Sequence, residues 1–177
     1  MGSEMCIRDR HKADHQQITD MNSKPGETFY IALKEVMIDL AQQIVKDGEG
    51  ASKFITVRVR AAETETDART IAFAIANSPL VKTAIAGADA NWGRIVMAIG
   101  KSGAKADRDR LGIIIGGIVI AQNGQCKVGY NEAPVAAHMA GDEIDILVDM
   151  GLGSGEAVVW TCDLTHGYIA INADYRS

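Results

Sequence analysis

A disulfide framework has nothing to stand on in this sequence. Its three cysteines, Cys6, Cys126 and Cys162, are odd in number and far apart, and no two form the C-x-x-C pair that grips a metal. A reducing compartment, the cytoplasm, is therefore expected. Long apolar runs are missing too. A membrane helix needs roughly 20 consecutive apolar residues, whereas the greasiest segment, Leu111 to Ala121, is short and broken by Gly112, Gly116 and Gly117. No membrane partner is expected. Positive charge is scarce: 18 Lys and Arg against 23 Asp and Glu leave a net charge of −5, with no basic block or aromatic-interleaved patch to track a phosphate backbone. Nucleic acid is not an expected partner either. His11, His15 and His138 are scattered, with no pair in ligand spacing beside carboxylates, so no metal is expected. What remains is ordinary globular chemistry, 47% hydrophobic and 23% charged over 177 residues, enough chain to bury a core.

The opening residues differ from the rest. Residues 1–24 show no helical or strand periodicity and no apolar core of a signal peptide, and they read as a non-native or disordered leader. Pro25-Gly26 punctuates the chain as a turn. From Thr28, a candidate cap, Ile31, Val36, Met37, Leu40, Ile44 and Val45 recur at helical spacing as far as Gly48. Phe54 to Arg60 then alternates, with Ile55, Val57 and Val59 on one face and Thr56, Arg58 and Arg60 on the other, as a half-buried strand does. The two arginines suit a basic edge for an anion, or plain solvation of a wet face. A second helix is expected from Thr66 or Asp67 to Asn77, a short one from Pro79 to Ala86 behind the Ser78 cap, and another from Trp92 to Gly100, with Asp89 and Asn91 as caps.

The later half reads as strands. Ile113 to Ile115 and Ile118 to Ile120 are continuous apolar runs, the mark of strands covered on both faces. Asn123-Gly124 is a hairpin turn before Gln125 to Val128. Ala133 to Met139 suits a short helix. Ile144, Ile146 and Val148 alternate with Glu143, Asp145 and Asp149, giving a strand with one acidic face. Gly151-x-Gly153-x-Gly155 leads into a strand from Ala157 to Cys162, and it is read as a glycine-rich hairpin rather than a dinucleotide loop, because Glu156 stands where the third glycine of that fingerprint would fall. Cys162 and His166 flank a turn, Asp163-Leu164-Thr165, without an orienting third residue, so Cys162 is read as a buried structural cysteine. Tyr168 to Asn172 is expected to be extended. The sum is an α+β domain with helices early and a mixed sheet late.

One loop stands apart from these elements. Asp47-Gly48-Glu49-Gly50-Ala51-Ser52-Lys53 sets a carboxylate between two glycines, after a helix and before a strand. Flanking glycines remove the Cβ atoms that would shield Glu49 and permit backbone angles closed to other residues. Glu49 can therefore meet a ligand closely. The same pattern also suits a helix C-cap with Glu49 turned to water, and the loop by itself leaves both readings open.

Four blocks settle what the chain is similar to. Asp47 to Phe54, Asn77-Ser78-Pro79-Leu80-Val81-Lys82-Thr83-Ala84, Asp89-Ala90-Asn91-Trp92-Gly93-Arg94, and Cys162-Asp163-Leu164-Thr165 with Ile171-Asn172-Ala173-Asp174-Tyr175-Arg176-Ser177 resemble, in order, the ornithine acetyltransferase family. These are the bifunctional glutamate N-acetyltransferases of arginine biosynthesis. The likeness runs from about Ala32 to Ser177 and falls on the C-terminal part of the family's self-cleaved β chain, which assigns 25–177 to that portion.

The resemblance implies a partial amino-terminal-nucleophile-like fold and a mechanism. Family members cut themselves before a threonine, whose freed amine activates its own hydroxyl. That hydroxyl takes the acetyl group of N-acetylornithine, releases ornithine and passes the acetyl to glutamate in a ping-pong sequence. No cofactor is implied, acetyl-CoA is a possible second donor, and an α chain is the partner in an α/β heteromer. The binding residues carried over are Glu49, Asn172 and Ser177. The family's threonine block has no counterpart between Met1 and Ile31, where Thr19 and Thr28 stand in a different context. No catalytic nucleophile is therefore assigned in this chain, and the chain alone is expected to be inactive. A related amino-terminal-nucleophile aminopeptidase and a non-catalytic ligand-binding fragment are the alternatives.

Overall fold

The computed structural model describes residues 17–173. The chain divides into two compact units, one up to Ala41 and the other from Gln42 onward. The first holds most of α1 (Lys24–Lys46). This helix starts earlier than Thr28, because the Ser23 hydroxyl accepts from the Gly26 amide at 3.2 Å and Pro25 sits in the first turn. Serine as cap with proline just inside is a helix start. Pro25-Gly26 thus begins the helix, and Thr28 instead donates back to the Lys24 carbonyl at 2.9 Å. Phe29, Leu33, Val36, Met37 and Leu40 remain exposed on it.

The second unit is built on a six-stranded mixed sheet in the order β4-β3-β2-β5-β1-β6. Its strands are β1 (Phe54–Ala62), β2 (Gly112–Ile115), β3 (Ile118–Gln122), β4 (Gln125–Cys126), β5 (Glu143–Asp149) and β6 (Gly155–Cys162). Only β1 and β5 run parallel; the remaining pairs are antiparallel. Alternation explains the layering. Ile55, Val57 and Val59 of β1, Ile144, Ile146 and Val148 of β5, and Ile113 and Ile115 of β2 are all buried in one core. Each such side chain contributes about 1.5–3 kcal/mol on burial. The other face carries charge: Arg58 pairs with Asp145, and Arg60 meets Asp149 at 2.8 Å. The arginines are thus neutralised by the acidic face of β5. The isoleucine runs of β2 and β3 are only half covered on that side, since Ile114, Ile118 and Val119 are partly exposed.

Helices close the core. They are α2 (Glu65–Ala76), α3 (Pro79–Ala86), α4 (Trp92–Lys101), α5 (Glu132–Met139) and α6 (His166–Ala173). Ala68, Ile71, Ala72 and Ile75 form the buried face of α2, which packs on β1 and β6. Thr64 caps α2, its hydroxyl accepting from the Asp67 amide at 3.0 Å, which moves the start to Glu65. Asn91 caps α4, accepting from the Arg94 amide at 3.2 Å, while Asp89 accepts from the Asn91 side chain at 3.1 Å.

Two expectations fail here for topological and capping reasons. The Gly151 to Gly155 segment is not a hairpin: β5 and β6 lie on opposite sides of β1, so the segment passes over the end of β1, where the amides of Leu152 and Gly153 donate to the Ala61 carbonyl at 2.8 and 3.0 Å. Close passage explains the glycines, since a Cβ on Gly153 would press on the backbone of Ala62 and Glu63. Tyr168 to Asn172 is helical, not extended. The Thr165 hydroxyl accepts from the Gly167 amide at 3.0 Å and so starts α6 as a cap. Among the described residues, no helix is long and apolar enough to cross a membrane.

Candidate functional site

The corner where α1 gives way to β1 meets the corner where β6 gives way to α6. Gly48 and Gly50 make the first turn possible: Gly50 has φ +67°, a region natural to glycine, and a Cβ there would overlap the backbone of Gly167 and Tyr168. The main chains of Gly50 and Gly167 can touch only because both lack side chains. Asp163, 3% exposed, is the one buried charged residue among those described. Its Oδ1 accepts from the amides of Ser52 and Lys53 at 2.8 and 3.0 Å, and its Oδ2 accepts from Ser52 Oγ at 2.5 Å. A buried carboxylate is tolerable only when its lone pairs are met in this way. Thr165 completes the joint, donating from Oγ1 to the Gly50 carbonyl at 2.5 Å.

This joint carries two of the three binding residues expected from the sequence. Glu49 projects from the loop, and Asn172 lies two turns into α6. The Asn172 side-chain amide donates to Glu49 Oε2 at 2.9 Å and to the Tyr168 carbonyl at 3.0 Å. Both side chains are exposed. Glu49 is thus not turned to water alone; it accepts from a partner 123 residues away in sequence. Among the described residues no cation pairs with it. Lys46 is held by Glu143 at 3.0 Å and lies over the Phe54 ring, and Lys53 donates to the Met139 carbonyl. Ser177, the third expected residue, lies outside the described residues, as do residues 1–16 of the leader.

Cys162 is half-buried rather than buried, with its sulfur 3.9 Å from Lys82 Nζ. It packs at the joint, where a Cβ on Gly48 would come within 3.0 Å of its sulfur. The residues that sequence reasoning missed are Asp163 and Thr165, which it placed in a plain turn. The signal was present: a threonine three residues before the apolar stretch Tyr168-Ile169-Ala170-Ile171 suits a helix N-cap.

Chemically, the corner offers carboxylate and amide oxygens to a hydrogen-bond donor. The Asn172 amide protons are used within the protein, which among the described residues leaves Asn172 Oδ1 and Glu49 Oε1 as acceptors. Comparison with known proteins places the chain as a whole in company. A family model described as the ArgJ family matches residues 10–177, so the likeness begins upstream of Ala32. The arginine biosynthesis bifunctional protein ArgJ of Zymomonas mobilis is 59% identical over 160 residues, covering 90% of this chain and 39% of that protein. Its counterpart in Ruegeria pomeroyi is 62% identical over 157 residues, covering 89% of this chain and 38% of that protein. The crystal structure of the arginine biosynthesis bifunctional protein of Bacillus halodurans superimposes with a TM-score of 0.86 at 41% identity, over 91% of this chain and 75% of that one. This chain thus spans well under half the length of the curated relatives it matches. Agreement of sequence along nearly all of the described chain, and of fold with a solved member, establishes that the chain belongs to the ArgJ family.

Proposed function

We propose that this chain supplies the amine-binding wall of an acetyl-transfer site in arginine biosynthesis. The observation that supports the reading is the 2.9 Å hydrogen bond between Asn172 and Glu49, which joins a residue singled out by its flanking glycines and by family likeness to one named by family likeness alone. An ammonium group docks by donating to Glu49 Oε1 and Asn172 Oδ1, and charge-assisted bonds of this kind are the strong ones. N2-acetylornithine and ornithine carry such a group, and Ser177 adds a third contact. The nucleophilic threonine belongs to a part of the longer protein outside this chain, as does the α chain with which it assembles. Its hydroxyl attacks the acetyl carbonyl, the amide C–N bond breaks, and ornithine leaves with the proton. Glutamate's amine then attacks the acetyl-threonine ester, forming a new C–N bond and freeing the hydroxyl. No cofactor is needed, and acetyl-CoA can replace acetylornithine as donor. Holding the amine fixes the distance between acyl carbon and threonine, so the wall contributes orientation as well as affinity.

The test uses a full-length relative. Replacing the glutamate equivalent to Glu49 by glutamine removes one charge-assisted bond and raises KM for N-acetylornithine by about tenfold or more, and unchanged kinetics would overturn the reading. The purified 177-residue chain, free of host enzyme, transfers no acetyl group from N-acetylornithine to glutamate. Transfer by it would show that the nucleophile lies within the chain after all.

A further inference from the structure

We infer that Asp163 and Thr165 are positioning residues that set the spacing of the amine site, an inference that rests on reading Glu49 and Asn172 as the amine contacts. Those two side chains are exposed and sit on different elements, a loop and a helix. Neither element fixes the other by itself. What ties them is the segment from 163 to 165. Asp163 holds the far side of the Glu49 loop through the Ser52 and Lys53 amides and the Ser52 hydroxyl. Thr165 has two duties at one oxygen: it donates to the Gly50 carbonyl, one residue from Glu49, and accepts from the Gly167 amide, which starts the helix bearing Asn172. One hydroxyl thus fixes both halves of the site relative to each other. The approach is tight, since a Cβ on Gly167 would lie 3.2 Å from Gly50 Cα, so the joint has little room to settle elsewhere. A buried carboxylate that satisfies two backbone amides would be an expensive way to hold an ordinary surface turn. A joint whose two ends carry the ligand contacts accounts for it.

The positions differ in what a substitution removes. Thr165→Val keeps the shape and loses both hydrogen bonds, whereas Thr165→Ser keeps the hydroxyl. Asp163→Ala strips acceptors from two amides, whereas Asp163→Asn retains an oxygen for both and turns its Nδ2 toward Ser52 Oγ as a donor. Side-chain amide spectra of the 177-residue chain report Asn172 directly, with Glu49→Ala marking the position of its signal once the acceptor is lost, and calorimetry with ornithine reports binding. In Thr165→Val and Asp163→Ala the Asn172 signal moves to the Glu49→Ala position and ornithine binding weakens about tenfold, the scale of a site held slightly out of register. Thr165→Ser and Asp163→Asn restore both readouts. An Asn172 signal unmoved in folded Thr165→Val overturns the inference, and that variant decides the matter if Asp163→Ala does not fold. Should the Asn172 signal respond as expected while the unsubstituted chain shows no heat with ornithine, the joint stands and the amine reading of the site falls.

Discussion

The open face of the sheet and the Glu49 corner both display carboxylates, and they treat them in opposite ways. On the sheet, Asp145 and Asp149 of β5 meet Arg58 and Arg60 of β1, so each charge is answered inside the protein. At the corner, Glu49 meets a neutral amide and, among the described residues, no cation. An acid answered by an arginine has little left to offer a cation. An acid held in place by an amide keeps its charge for one. The difference teaches that position alone does not make a carboxylate a binding group; the identity of its fixed neighbour decides it. Salt bridges on exposed surfaces contribute little, about 0–1 kcal/mol each, so the sheet-face pairs are better read as keeping two acids and two bases quiet than as a source of stability.

Breaking the corner's backbone should have the largest effect. Gly50→Ala combines a left-handed φ with a Cβ that overlaps residues 167 and 168, and unfolding by urea should show a loss of more than about 2 kcal/mol. Turning the corner into a copy of the sheet face comes next. In Asn172→Lys the new ammonium pairs with Glu49 as Arg60 pairs with Asp149, and calorimetry should find ornithine affinity reduced at least about tenfold while the melting temperature changes little; retained affinity would mean that the free charge of Glu49 is not what binds. The smallest effect belongs to the sheet face itself. Arg60→Ala should shift stability by no more than about 1 kcal/mol and leave ornithine binding unchanged, and a clear loss of binding would extend the site onto that face.

Much of the fold was legible because its signals are local. Period-two alternation placed β1 and β5, and Ser78-Pro79 placed α3 to the residue. The Asn123-Gly124 turn, with φ of +52° and +69°, joins β3 to β4 as its dipeptide demands. What was not legible depends on distant partners. Nothing near Gly151 to Gly155 tells that β1 will lie between the strands it links, and a strand-like run of Tyr168, Ile169 and Ile171 concealed a helix whose deciding residue, Thr165, lies just before it. Of the candidate site, Glu49 stood out by its flanking glycines before family likeness gave it a role, Asn172 was named through family likeness, and their contact follows from the fold. Asp163 escaped because burial of a single acid is a property of the assembled joint; an aspartate in a turn looks like any other until its donors, 110 and 111 residues earlier, are in place.

That separation has a consequence for the order in which the molecule comes into being. β1 is flanked by β5 on one side and by β6 on the other, and both arrive late in the chain. Closing such long loops costs conformational entropy before any contact rewards it. During synthesis, β1 must wait for partners roughly a hundred residues away, and the Glu49 loop must wait for Asp163. The pocket wall is therefore among the last features to form, and a ribosome that stalls before residue 163 leaves a chain with α1 to α5 made, α6 and its Asn172 missing, and no grip on a ligand. Occupancy of the corner would report that the segment from 163 to 172 has been made and docked as well as that ligand is present.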